Sequence, residues 1–365
     1  MKYHYFLICI VLFVMIILIV YINITDTDNN TTVKEIKFRY FVEKTNTKER
    51  TDFKYILLWT LDSRVNVPFV YMGEGQKSFL SIHQKYVFAS IESADIYDIK
   101  TNVFDEYFNW TWTYKLDSDL RWGYIVVRDL KNNIVGPKKD MNWLKLAEMD
   151  PVTEDFKERL KSKKTAAAWF ASNCYSESGR EMFVKALQEE LWKYGHELDV
   201  YGHCGLHICS RKNETFCDEM IAKYYYFYLS FENSFSEDYV TEKLLRALKY
   251  DAVPIVYGGA NYTRFMPDGI YLNALDLGIR KLVAKMNELI NDPDKYANYF
   301  RWKNHYKYEK TSENVATDEY CRMCEILNDE KAVKETTIYR NFQQWWNVKQ
   351  DETDLFIRKL QFALQ

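Results

Sequence analysis

Residues 225–244 read Tyr-Tyr-Phe-Tyr-Leu-Ser-Phe-Glu-Asn-Ser-Phe-Ser-Glu-Asp-Tyr-Val-Thr-Glu-Lys-Leu. The run Tyr225 to Phe231 has the length and the aromatic, apolar content of a buried strand. It gives way to a dense polar stretch, Glu232 to Lys243, and then to helical spacing. On that predicted helix Tyr239, Glu242, Lys243 and Arg246 recur at i, i+3, i+4 and i+7 and share one face. Val240, Leu244, Ala247 and Leu248 fall on the opposite, core-facing side, and Asp238 is the expected N-cap. A buried strand, a polar loop and an amphipathic helix in this order make half of a βαβ unit.

The neighbouring sequence repeats the pattern. Upstream, Ala166-Ala167-Ala168-Trp169-Phe170-Ala171 is a second buried strand, followed by a loop from Ser172 to Gly179. A helix is predicted from Arg180 to Tyr194, with Phe183, Ala186, Leu187, Leu191 and Tyr194 as its apolar face and Gly195 ending it. Leu198 to Gly202 follows as a strand, and downstream Val253 to Tyr257 runs into Gly258-Gly259. This alternation predicts a parallel sheet covered by helices, with a ligand at the carboxyl ends of the strands. No G-x-G-x-x-G or G-x-x-x-x-G-K-[ST] is present, so nicotinamide and P-loop chemistry have no footing. An earlier region carries strand-like runs at Tyr55–Trp59, Tyr86–Ile91 and Tyr124–Val127. The charged stretch Asp150 to Lys164 reads as a connecting helix.

The polar loop is placed for chemistry. A helix amino terminus presents unpaired N–H groups that attract phosphate, and Lys243 adds a positive charge there. Glu242 would repel phosphate and suits the hydroxyls of a sugar or ribose. Arg180 stands in the first turn of its helix, where a cation opposes the dipole by roughly 0.3–1 kcal/mol unless an anion is close. A diphosphate between Arg180 and Lys243, beside Ser172 and Asn173, would account for both. The plainer alternatives are a solvated helix face with internal ion pairs and an exposed arginine of no consequence.

The chain has 365 residues, 49 Lys+Arg against 52 Asp+Glu, and a formal net charge of −3. Two domains are the expectation at this length, and the balanced charge excludes nucleic acid as the main partner. The 29 Tyr, 22 Phe and 10 Trp supply large rings for cores and for stacking on carbohydrate or a base. Residues 5–22 are uncharged, apolar and just long enough to span a bilayer. Residues 1–22 contain no Ala or Gly for a cleavage site, so a retained signal anchor is expected. Lys2 before it and Asp26 and Asp28 after it place residues 1–4 in the cytosol. Residues 23–50 then read as a polar stem. Sequons at Asn29, Asn30, Asn109, Asn213 and Asn261, and one at Asn23 close to the membrane, fit a luminal side. There, Cys174, Cys204, Cys209, Cys217, Cys321 and Cys324 could form three disulfides, with pairing unspecified by sequence.

Several blocks resemble the α-1,3-fucosyltransferases: Ala168 to Cys174, Val200-Tyr201-Gly202, Phe227 to Ser234, Asp238 to Lys243, Phe108 to Thr111 with Tyr114 to Asp119, and Cys321 to Cys324. The resemblance runs from about residue 55 to 326. It implies an α/β fold of the glycosyltransferase-B type, two Rossmann-like domains facing a cleft, here preceded by a transmembrane helix and stem. The acceptor-side domain would span 51–160, the GDP-fucose-binding domain 161–330, and 331–365 would form a C-terminal helical tail. The implied donor-binding set is Arg180, Ser172, Asn173, Tyr201, Gly202, Glu232, Asn233, Tyr239, Thr241, Glu242 and Lys243. Glu92 would be the general base for an acceptor bearing GlcNAc. Family members commonly carry a Glu-Ser-Pro segment there, whereas this chain has Glu92-Ser93-Ala94. The expected protein is a single-pass type II enzyme of the Golgi membrane requiring no cofactor and no essential divalent metal.

Other readings compete. Asp117-Ser118-Asp119 is a D-x-D of the kind used by metal-dependent transferases, but a lone one is common by chance. His203, Cys204, His207 and Cys209 could suggest zinc, against which an oxidising compartment favours disulfides. A non-catalytic lectin or chaperone on a transferase fold is the alternative to an enzyme. The joint presence of Glu92, Arg180, Glu232, Asn233, Glu242 and Lys243 favours the enzyme.

Overall fold

The computed structural model describes residues 56–59, 85–209, 214–335 and 337–347. The apolar run 5–22, the stem and the sequons at Asn23, Asn29, Asn30 and Asn213 lie outside them. Among the described residues no helix is long and apolar enough to cross a membrane.

The first sheet is parallel, with β1 (Ile56–Trp59), β2 (Lys85–Ser90), β3 (Trp110–Thr113) and β4 (Leu120–Arg121) side by side in that order. Strand β2 is buried along its whole length and divides its side chains by the two-residue period of a strand. Tyr86 and Phe88 join Phe108 on one face, while Val87 and Ala89 join Trp110, Trp112 and Trp122 on the other. A small antiparallel sheet follows, built on β5 (Val126–Asp129) and β6 (Ile134–Gly136). Helix α1 (Glu154–Leu160), capped by Thr153, then leads into the second region. It is shorter than the charged stretch suggested.

The second sheet contains β7 (Thr165–Phe170), β8 (Leu198–Tyr201), β9 (Tyr225–Phe231), β10 (Val253–Tyr257) and β11 (Leu272–Asn273), all parallel, in the order β8-β7-β9-β10-β11. The chain therefore reverses direction across the sheet between β7 and β9, and a doubly wound sheet opens a crevice at that switch point. Helices α2 (Arg180–Trp192), α3 (Glu214–Tyr224), α4 (Glu242–Lys249), α5 (Ala274–Asn291) and α6 (Pro293–Asn298) belong to this region. Phe183, Val184, Leu187 and Leu191 of α2 are buried in its core, together with β7 and β9. Tyr194, expected on that face, is 44% exposed because the helix stops at Trp192 and the chain turns through Gly195 at φ +72°.

The late chain departs from the sequence-based division at residue 330. Strand β12 (Tyr306–Glu309) pairs antiparallel with β5. Helices α7 (Glu319–Asn328) and α8 (Glu330–Lys334) follow, and Met323 packs among Trp110, Trp112 and Trp122. In α9 (Phe342–Trp346), Phe342 and Trp346 place their rings 4.9 and 4.6 Å from Phe88. From Tyr306 onward the chain thus returns to the first region, while Tyr308 and Glu313 also pack on or pair with α4 of the second. Periodicity located these elements but carries no information on which sheet they cover.

Candidate active site

The two loops that leave β7 and β9 are fastened to each other at the switch point. Arg180 donates through Nη1 to the Phe231 carbonyl (2.7 Å) and through Nη2 to the Asn173 carbonyl (3.2 Å). Its Nε lies 3.4 Å from Glu181 and its guanidinium 5.4 Å from the centre of the Trp169 ring. Ser178 completes the junction, its N–H donating to the Asn233 carbonyl and its hydroxyl to the Glu232 carbonyl at 3.0 and 2.8 Å. Arg180 is only 3% exposed. Protein oxygens therefore offset its charge, and its place in the first turn does not by itself require an outside anion. The cross-strand fastening it provides was not legible from its spacing.

The loop after β9 holds a compact charged cluster. Glu232, buried, accepts the Thr241 N–H at 2.9 Å and the Thr241 hydroxyl at 3.0 Å, and its Oε2 lies 2.9 Å from Lys243 Nζ. Lys243 also donates to Thr241 Oγ1 at 2.7 Å and sits 3.6 Å from Glu242, which is exposed. Burial raises the Glu232 carboxyl above its ordinary value while Lys243 draws it back. For Lys243 burial works against the charge, but Glu232 and Glu242 outweigh it and raise its pKa. The Lys243 side chain keeps 17% exposure, so a preformed cation faces the loops at the start of α4.

The N-cap of α4 is Thr241, not Asp238. Asp238 instead has φ +60° and a fully buried carboxylate that binds Arg264 (2.7 Å), Lys139 (3.1 Å) and the Leu116 N–H (3.2 Å). It fastens the polar loop to the first region. Tyr239 follows it outside the helix, so the expected shared face with Glu242 and Lys243 does not form there. Its hydroxyl donates to Oε1 of Glu92, immediately beyond β2. Burial first, then the proximity of Tyr124, Glu92 and Glu232, holds this phenol well above the usual tyrosine range and so protonated.

The Glu92 turn is docked against the polar loop. Ser234 donates to the Ser93 hydroxyl at 2.6 Å, and the Asp95 N–H donates to Ser236 Oγ at 3.1 Å. The Ala94 N–H donates to the Tyr114 hydroxyl at 3.0 Å, a bond that proline at this position could not make. Tyr239, two residues before Thr241, thus ties the Glu92 turn to the loop that carries the Glu232–Thr241–Lys243 cluster. Ser172 and Asn173 are exposed on the loop after β7, and Asn233 is half-buried on the loop after β9.

Tyr201 is not part of this assembly. Its hydroxyl meets that of Tyr225 at 2.6 Å, and Tyr225 donates to Asp199, which commits the side chain to the sheet interior. Gly202 has a backbone role: at φ +94°, an added Cβ would lie 2.5 Å from the Ala171 carbonyl oxygen. Gly202→Ala is expected to destabilise the fold by roughly 1–3 kcal/mol through this strain, lowering the midpoint of urea unfolding. An unchanged midpoint would contradict that packing.

Among the described residues, disulfides join Cys174 to Cys204 and Cys209 to Cys217. The first ties the loop after β7 to the loop after β8, and together they remove Cys204 and Cys209 from any zinc site. Cys321 and Cys324 lie three residues apart on α7. Asp119 of the D-x-D accepts from Thr111 N–H and from the Tyr339 hydroxyl, both at 2.8 Å, so it is used inside the fold. The Asn109 side chain likewise bridges the Tyr86 N–H and the Thr337 carbonyl, an internal placement that disfavours a glycan there. Asn261 is exposed.

Comparison with known proteins extends the site's context. Residues 160–345 match the family description "Glycosyltransferase family 10 (fucosyltransferase) C-term", and residues 46–125 match "Fucosyltransferase, N-terminal". The chain is 37% identical over 272 residues to alpha-(1,3)-fucosyltransferase C of Drosophila melanogaster, covering 73% of this chain and 60% of that protein. It is 31% identical to glycoprotein 3-alpha-L-fucosyltransferase A of the same organism, covering 65% of this chain and 43% of that one. The matched region spans about half the length of these curated relatives. A crystal structure of alpha1,3-fucosyltransferase with GDP-fucose overlaps loosely, with a TM-score of 0.44 and 16% identity over 71% of this chain and 78% of that one.

Proposed function

We propose that this chain, which belongs to glycosyltransferase family 10 (fucosyltransferase), transfers L-fucose from GDP-β-L-fucose to the 3-hydroxyl of a GlcNAc in a glycan. The observation that carries the proposal is the meeting of Glu92 with the Glu232–Thr241–Lys243 cluster, through Tyr239, at the carboxyl end of the second sheet. In this reading the diphosphate lies at the start of α4, where Lys243 and the helix dipole stabilise the charge that grows as the glycosidic bond breaks. Arg180 holds the two loops together and adds its charge to the hold on the diphosphate. Glu242, exposed beside Lys243, takes the hydroxyls of a sugar or ribose.

A β-linked donor and an α-linked product require inversion, achieved by a single displacement without a covalent enzyme intermediate. The base must then stand on the acceptor side, opposite the departing GDP. Glu92 stands in the turn that follows β2 and is bonded to Tyr239 of the donor loop, which suits a carboxylate that takes the acceptor 3-hydroxyl proton as bonding develops. No divalent metal takes part in this scheme. The same reading places the chain as a single-pass type II protein of the Golgi membrane, with residues 5–22 as its anchor and the catalytic part luminal.

The test is release of GDP from GDP-fucose by the purified chain with a mixture of GlcNAc-bearing glycans, with and without a chelator. Acceptor-dependent GDP release that survives chelation is expected. Absence of release with every acceptor, in protein that binds GDP, would favour a lectin or chaperone instead.

A further inference from the structure

We infer that the cavity between β11 and α5 is a second saccharide subsite, which holds a sugar of the acceptor glycan beyond the reacting GlcNAc. The inference rests on the fucosyl-transfer reading above and adds a determinant of acceptor choice to it. The cavity measures about 580 Å³, within the roughly 300–1,000 Å³ typical of small-ligand sites. Strand β11 is the edge strand of the second sheet, and among the described residues no further strand covers it. Helix α5 kinks at Gly278, whose φ of +66° and ψ of 170° are readily adopted only by glycine. The groove between strand and helix is lined by Asp268, Tyr271, Asn273, Asp276 and Lys281.

These side chains suit a polyhydroxylated ring. A pyranose packs its apolar C–H face on an aromatic ring and presents hydroxyls around its rim that need donors and acceptors. Tyr271, half-buried, supplies the ring. Asp268 is exposed, accepts the Tyr271 hydroxyl at 3.2 Å and keeps further acceptor capacity. Asn273 spends its oxygen on the Leu275 N–H at 3.1 Å as the N-cap of α5, which leaves its amide to donate. Charge argues against a phosphate or sulfate in the same place. Asp268, Asp276 and Glu288 outnumber Lys281 and Lys285 in the lining, and Lys285 is already paired with Glu288 at 2.8 Å.

The cavity also lies close to the donor cluster. Leu272 and Asn273 pair with Ile255 and Val256 of β10. Strand β10 runs into Gly258, where an added Cβ would lie 3.4 Å from Glu232 and 2.6 Å from the Tyr262 hydroxyl. The Tyr262 ring is in turn 6.0 Å from that of Tyr271. Tyr262 thus stands between the cavity and the Glu232–Thr241–Lys243 cluster, which brings the cavity within the span of an oligosaccharide bound for transfer.

Acceptor kinetics of the full chain test this with a short and a large acceptor, a GlcNAc-containing disaccharide and a complete N-glycan. Tyr271→Ala should raise KM for the N-glycan by roughly 3- to 10-fold, the scale of one aromatic contact. Donor KM, kcat and KM for the disaccharide should stay near wild type. Asp268→Asn alters an exposed side chain and keeps its shape, so a rise in the same KM there cannot come from misfolding. N-glycan binding followed by NMR line broadening, without GDP-fucose, should weaken in both variants. Equal KM changes for both acceptors, or wild-type KM and binding of the N-glycan in both variants, would overturn the subsite. Failure of the wild type to transfer fucose, with N-glycan binding that still weakens in the variants, would overturn the transfer reading and keep the cavity as a saccharide site.

Discussion

Glu92→Gln is expected to reduce fucose transfer by roughly 10²–10⁴-fold, the range associated with loss of a positioned general base, while GDP binding stays near wild type. The amide keeps the size and planarity of the side chain and can still accept from Tyr239, so the docked turn should persist. Ser90 Oγ to the Glu92 carbonyl (3.0 Å) and Ser234 to Ser93 are contacts the substitution does not touch. What disappears is the capacity to take a proton. Single-turnover rates with saturating donor and acceptor would isolate the chemical step. Wild-type rates in this variant would remove Glu92 from the mechanism.

Lys243→Ala should lose on the order of 10²-fold or more in kcat/KM, comparable to removal of other preorganised charge donors. It should also lose stability. Lys243 is the cation beside the buried Glu232 carboxylate, and stranding a buried charge costs about 3–5 kcal/mol. The two effects can be separated. Adding Glu232→Gln to Lys243→Ala removes the stranded charge, so urea unfolding should recover much of the loss. Activity should stay low, because the cation that faces the diphosphate is still absent. Recovery of activity along with stability would mean that Lys243 serves the fold and not the transition state.

The second sheet was legible because its strands are continuous apolar runs. Tyr225 to Phe231 and Val253 to Tyr257 have the same bounds in the structure as in the sequence. The site's position followed from strand–helix alternation, since a parallel sheet of this kind opens at its carboxyl edge. Polar partners were a different matter. Asp238 has the composition and spacing of an N-cap, but three groups distant in sequence, Arg264, Lys139 and Leu116, decide its role. Tyr239 shares helical spacing with Glu242 and Lys243, yet Asp238 turns the chain through a positive φ before the helix begins. Arg180 suggested an anion because its compensating carbonyls, Phe231 and Asn173, belong to loops whose approach only the folded sheet creates. Tyr114 and Tyr124 carried no local signal at all. The return of the late chain to the first sheet was hidden for the same reason: Phe342 and Trp346 announce a core, not which one.

The most direct measurement of the central claim is product analysis. The purified chain would be incubated with GDP-fucose and defined GlcNAc-bearing glycans, covering both N-glycan cores and Lewis-type precursors. Mass spectrometry and NMR of the products would then read the mass gained, the linkage position and the anomeric configuration. The account predicts gain of a single deoxyhexose, α-linked to the 3-hydroxyl of a GlcNAc. A β-linked product, or attachment at a sugar other than GlcNAc, would contradict it.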